Sequence, residues 1–157
     1  MLILVPQLAI FEVGRVYARD ASVSDSDASV GGVSQPMRIG ALAYGPAQAL
    51  QWGVRDRAVD FFDIKGDVEL LLAPRGVRFV PATHPALHPG RCAAAELDGR
   101  RIGFVGELHP RWRQAYELPM APLLFELDAA ALGQRKLPAF EAIARQQRPL
   151  LIIAEDI

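Results

Sequence analysis

The chain has 157 residues, 51% of them apolar, and its 17 basic residues nearly cancel 18 acidic ones to leave a net charge of −1. That suffices for one ordinary hydrophobic core, with too little charge of either sign to draw the whole molecule to DNA, RNA or an anionic membrane. The single cysteine, Cys92, excludes an intrachain disulfide framework and fits a reduced, cytoplasmic protein.

The opening MLILVPQLAIF is apolar but short, is broken by Pro6 and lacks a basic leader, so it reads as neither a membrane span nor a signal peptide. Ile10 to Ala18 is rich in β-branched and aromatic residues and predicts a strand. RDASVSDSDASVGGVSQP follows without periodicity, as a solvated, disorder-prone loop. Met37 to Tyr44 then predicts a second strand, antiparallel to the first. From Val59 the apolar residues Ile64, Val68, Leu71 and Leu72 recur at helical spacing, with Asp60 or Asp63 as cap and an end near Pro74 and Gly76. Gly66, inside this helix, suggests close packing or a local irregularity.

Val77 to Ala82 predicts another strand. Asp98-Gly99 is a two-residue hairpin turn, and counting outward sets Leu97 against Arg100, Glu96 against Arg101, Ala95 against Ile102 and Ala93 against Phe104. Ala93, Ala95, Ile102 and Phe104 should then share one face, with Glu96 and Arg101 an opposite-charge pair on the other. The small alanines predict a helix or second layer close above them. HPRWRQAYEL predicts a short helix with Pro110 at its first position, Pro122 to Asp128 a strand, and Asp128 the N-cap of AAALGQ. Beyond Leu137 the texture becomes linker-like, and LLIIAEDI predicts a last strand. Six or seven strands with three or so short helices, and no alternating βαβ pattern, indicate an α+β fold with an antiparallel sheet.

Three chemistries compete for the polar residues. His84, His88 and His109 each precede a proline, and a stand-alone metal-dependent hydrolase would use them as ligands. The residue before proline is pushed out of the helical region, which argues against the i, i+4 zinc geometry for His84 and His88. Asp60, Asp63, Asp67 and Glu69 crowd one helix start and could hold magnesium, but acidic residues there ordinarily complement the helix dipole. No G-x-S-x-G or phosphate loop occurs, and Cys92 in a hairpin strand reads as inert. Arg91, Arg100, Arg101, Arg111 and Arg113, interleaved with Trp112, are the candidate RNA or partner contacts, either as an independent RNA-binding module or as a solvated sheet edge.

FEVGRVY, VDFFDIKGDVELLL, LHPGRCAAAELDGRRIGFVGELHP and LLFELDAAAL, in this order, resemble the bacterial phenylalanyl-tRNA synthetase beta subunit over roughly residues 10 to 137. The resemblance implies a class II synthetase-like antiparallel sheet flanked by helices, without catalytic function, in residues 1–137. Residues 138–157 resemble a linker and the truncated start of a ferredoxin-like anticodon-binding domain, with Arg148-Pro149-Leu150 in place of the arginine-rich strand expected there. MLILVPQLAI departs from the family's approach to the first strand.

In that family the alpha subunit charges tRNA with phenylalanine using ATP and magnesium, within an (αβ)₂ cytoplasmic ligase. The resemblance therefore implies an alpha subunit and tRNA as partners, and no catalytic, cofactor or metal residue in this fragment, since editing and magnesium sites would lie upstream. The residues agree with an inactive site: the second class II arginine, in a G-x-G-x-x-x-R setting, is not found, and adenylate formation would lack its electrostatic support.

Overall fold

The computed structural model describes residues 7–26, 29–49 and 51–133. Six strands form one antiparallel sheet: β1 (Leu8–Arg15), β4 (Met37–Tyr44), β5 (Arg78–Pro81), β6 (Leu87–Leu97), β7 (Arg100–Leu108) and β8 (Leu123–Asp128), in the spatial order β1-β4-β8-β7-β6-β5. The remaining strands, β2 (Ala18–Arg19) and β3 (Val33–Ser34), pair with each other, β2 starting at the last residue of the first expected strand and β3 lying in the segment expected to be an aperiodic loop. Helix α1 (Phe61–Leu72) lies over β7 and β8, and α2 (Pro110–Ala115) connects β7 to β8. The fold is α+β with an antiparallel sheet, as expected. The boundary expected at residue 137 and the strand expected in LLIIAEDI lie outside the described residues.

Helix α1 starts where both candidate caps act together. The Asp60 carboxylate accepts from the Phe62 and Asp63 amides, while Asp63 accepts from the Asp60 amide, a reciprocal capping box. Arg57 donates to both carboxylate oxygens of Asp63 at 2.6 Å, which holds that carboxyl below its ordinary value. Ile64, Val68 and Leu72 are buried against the sheet, each contributing about 1.5–3 kcal/mol. Nothing lies within 4 Å of a Cβ built on Gly66, so neither close packing nor irregularity explains that glycine.

Asp98 (φ 51°) and Gly99 (φ 78°) form the hairpin turn, and Leu97–Arg100 and Glu96–Arg101 pair as counted. Beyond them the register departs from the expectation. Ala95 pairs with Gly103, Ala94 with Phe104 and Ala93 with Val105, because Ile102 is an extra residue in a bulge. Val105 consequently joins Ala93, Ala95 and Ile102 under α1, and Phe104 moves to the opposite face. A Cβ on Gly103 would collide with the carbonyl oxygen of Glu126, so β8 requires a glycine there. Glu96 approaches Arg78 at 4.0 Å, and the Arg101 guanidinium instead sits 5.0 Å from the Phe104 ring centre.

The strand after α2 begins at Leu123, and AAALGQ contributes a 3₁₀ turn, Ala129–Ala131, capped by the Asp128 carboxylate on the Ala130 amide. Its last residue, Gln134, lies outside the described residues.

Candidate functional site

The three His-Pro steps share one local geometry. Nδ1 of His84 accepts from the Ala86 amide at 3.3 Å, that of His88 from Gly90 at 3.0 Å, and that of His109 from Arg111 at 3.1 Å. Proline holds the chain extended and cannot offer its own N–H, so the ring nitrogen closes the turn two residues on, as an asparagine would. His109 thereby caps α2. His84 also packs on Phe104, ring centres 4.9 Å apart. Each Nδ1 is thus spent on backbone, and no group of three His, Cys, Asp or Glu side chains converges as a metal site among the described residues.

Asp60, Asp63 and Glu69 are likewise structural: Asp60 and Asp63 form the capping box, and Glu69 meets Lys65 at 2.5 Å. Cys92 is buried, which pushes its thiol above the ordinary range and away from nucleophilic thiolate.

The five arginines do not form one patch. Arg100 and Arg101 stand at the turn end of the hairpin, where Arg100 meets Asp128 at 2.9 Å. Arg91, Arg111 and Arg113 stand at the other end, about 20–25 Å away at the rise of a strand. Arg91 meets Glu107 at 2.5 Å, Arg111 donates to the Pro85 carbonyl at 2.9 Å and covers Trp112, and Arg113 donates to the Leu118 and Pro119 carbonyls.

On the sheet face away from α1, a hollow of about 350 Å³ lies between the Glu12 and Glu126 side chains, with Ile10, Leu42 and Leu124 beneath. Arg38 approaches Glu126 at 3.9 Å, and its Nε is buried without a hydrogen-bond partner. The sequence did not single these residues out; alternation within MRIGALAY and LLFELD sets Arg38 opposite in face to Ile39, and Glu126 to Phe125, but only the pairing of β4 with β8 brings the two to one face.

Residues 4–129 match the family described as the phenylalanyl tRNA synthetase beta chain CLM domain. The chain belongs to that family. The match runs from before β1 to the first residue of the 3₁₀ turn, enclosing the six-stranded sheet and all five arginines, and it reaches back into the opening segment that was expected to depart from the family.

Among curated relatives of this synthetase family, the phenylalanine–tRNA ligase beta subunit of Ralstonia nicotianae is 58% identical over 139 residues, which is 88% of this chain and 17% of the relative. The corresponding subunit of Burkholderia lata is 59% identical, covering 85% of this chain and 16% of the relative. That of Bordetella pertussis is 49% identical, covering 89% and 18%. The chain therefore spans less than a fifth of the length of these synthetase subunits.

Proposed function

We propose that the chain is a non-catalytic structural module of a phenylalanine–tRNA ligase beta subunit, built on a class II synthetase-like sheet. Its role is to support assembly with the alpha subunit and, through that cytoplasmic assembly, the charging of tRNA in protein biosynthesis. Residues 1–137 form this module, and residues 138–157 lead toward a further domain.

The observation that carries the reading is the character of the face away from α1. Binding ATP with magnesium calls for convergent cations around the phosphates and carboxylates around the metal. The hollow has Glu12 and Glu126 at its rim, and Arg38 is already directed at Glu126. The residues present do not fit ATP, and we derive no step through it. Arg91, Arg100, Arg101, Arg111 and Arg113 are proposed as partner or tRNA contacts only in the complete assembly. Four of them have carboxylate or carbonyl partners within the chain, and Arg101 covers Phe104.

Mixing the purified chain with a cognate alpha subunit tests this. Co-sedimentation without phenylalanine-dependent ATP–pyrophosphate exchange by the chain alone supports it, and robust exchange by the chain alone overturns it. Steeply salt-dependent tRNA binding by the isolated chain would favour the independent RNA-binding reading instead. The hydrolase reading is disfavoured by the engagement of all three Nδ1 atoms.

A further inference from the structure

We infer that Asp98-Gly99 is a site of spontaneous backbone modification, at which aspartate converts to isoaspartate, and that Arg75 restrains the conversion. The inference concerns this turn alone and does not depend on the reading above.

The sequence isolates the dipeptide. The chain has no asparagine, and Asp98 is the only one of its aspartates that glycine follows. Glycine has no side chain to shield the amide nitrogen it contributes, so that nitrogen can approach the preceding carboxyl group. The structure adds three conditions. The Asp98 side chain is 74% exposed, which gives water access to it. Nothing lies within 4 Å of a Cβ built on Gly99, so there is room for a ring beside it. Asp98 stands at φ 51°, with Glu117 one of two non-glycine residues at positive φ among the described residues. An L-residue adopts that conformation at a cost, so the turn gives up little backbone energy in leaving it.

The step needs water and nothing else. The Gly99 nitrogen attacks Cγ of Asp98 and a C–N bond forms. One carboxylate oxygen takes up the amide proton and a proton from solvent and departs as water, which leaves a neutral succinimide ring. Water then opens the ring. Addition at Cγ restores aspartate, whereas addition at the other carbonyl leaves the chain running through Cβ and Cγ, with the carboxylate now on Cα. Nothing is oxidised or reduced. The product carries an extra backbone atom in a turn whose register rests on two residues between Leu97 and Arg100.

Arg75 enters through charge. Its guanidinium donates to the Asp98 carboxylate at 2.5 Å and is anchored by a second bond, to the Ala131 carbonyl. Cyclisation consumes the anion, so the contact stabilises the starting aspartate and is lost in the ring. The barrier rises by what the contact contributes. For a pair as exposed as this one, that slows the conversion by a factor of about two to five. The modification also moves the carboxylate off the side chain that Arg75 holds, and so loosens the tie between the β6–β7 turn and the segment after α1.

Prolonged warm incubation of the full chain at neutral pH, followed by peptide mapping, reads the conversion. Isoaspartate at position 98 leaves the peptide mass unchanged but shifts its elution and blocks an endoproteinase that cuts before aspartate. Arg75→Gln removes the charge while keeping a donor for the Ala131 carbonyl, and should form isoaspartate about two- to fivefold faster than wild type. Asp60→Ala weakens the fold at the far end of α1 without touching the turn, and should keep the wild-type rate. No isoaspartate at 98 in Arg75→Gln, a rate equal to wild type in that variant, or an equal acceleration in Asp60→Ala would each overturn the inference.

Discussion

The guanidinium of Arg75 donates to the carboxylate of Asp98 at 2.5 Å, and its other terminal nitrogen donates to the carbonyl of Ala131 at 3.0 Å. One side chain thus joins the segment after α1, the β6–β7 turn and the 3₁₀ turn after β8. The Asp98 side chain is largely exposed, so the ion pair itself contributes little, and the part-buried bond to Ala131 carries more of the effect. Arg75→Ala should lower the unfolding free energy by about 1–2 kcal/mol. Asp98→Asn, which keeps a residue tolerant of positive φ, should cost less than half of that by urea denaturation.

Two glycines separate local propensity from tertiary contact. Gly66→Ala meets nothing within 4 Å in the middle of a helix and should stabilise the protein by about 0.5–1 kcal/mol. Gly103→Ala drives a methyl group into the Glu126 carbonyl and should cost about 3 kcal/mol or more, or prevent accumulation of folded protein. Thermal unfolding of the two variants side by side reads both signs.

Acid should weaken the start of α1. The bonds from Arg57 and the Asp60 amide hold Asp63 below its ordinary value of 3.8. A carboxyl depressed in the folded state contributes fully above its unfolded value, and the contribution is lost as the pH falls below that value through the folded one. The stability difference between wild type and Asp63→Asn should therefore be largest near neutrality and shrink as the pH falls from about 4 toward 2. Asp60→Ala should cost about 1 kcal/mol at neutral pH, and unfolding curves at a series of pH values measure both.

The His-Pro turns should accept a shorter acceptor in place of the ring. His109→Asn can still receive the Arg111 amide and should stay within about 0.5 kcal/mol of wild type, whereas His109→Ala should lose about 1 kcal/mol with the cap. Equilibrium dialysis against zinc should leave the metal well below one equivalent per chain. Stoichiometric zinc lost on mutating His84 and His88 would revive the hydrolase reading.

What could be read in advance followed the range of the interactions. Asp98-Gly99, the Ile64–Val68–Leu72 stripe, the Asp60 cap and the Pro110 helix start are set by neighbours in the chain, and each is found where the residues put it. The bulge at Ile102 is not written in the Asp98-Gly99 turn, and the close approach of the Glu126 carbonyl that demands a glycine at 103 comes from another strand. The candidate site follows the same division. The prolines already argued against helical histidine ligands, but five arginines close in sequence gave no sign that the nine-residue length of β7 separates Arg100 and Arg101 at its start from Arg91 on β6 and Arg111 and Arg113 on α2. Likewise, nothing local to Glu12, Arg38 or Glu126 foretells that β1, β4 and β8 become neighbours.

The extra residue at 102 reverses the parity of everything after it in β7. Without it Phe104 would lie inside and Val105 outside; with it the largest side chain of the strand becomes a surface anvil, gripped by His84 from the preceding loop and by Arg101 from the turn. Substitution tolerance should therefore run opposite to a simple inside–outside count. Position 105 admits only residues of valine's size, while position 104 tolerates any flat ring that keeps both neighbours in place.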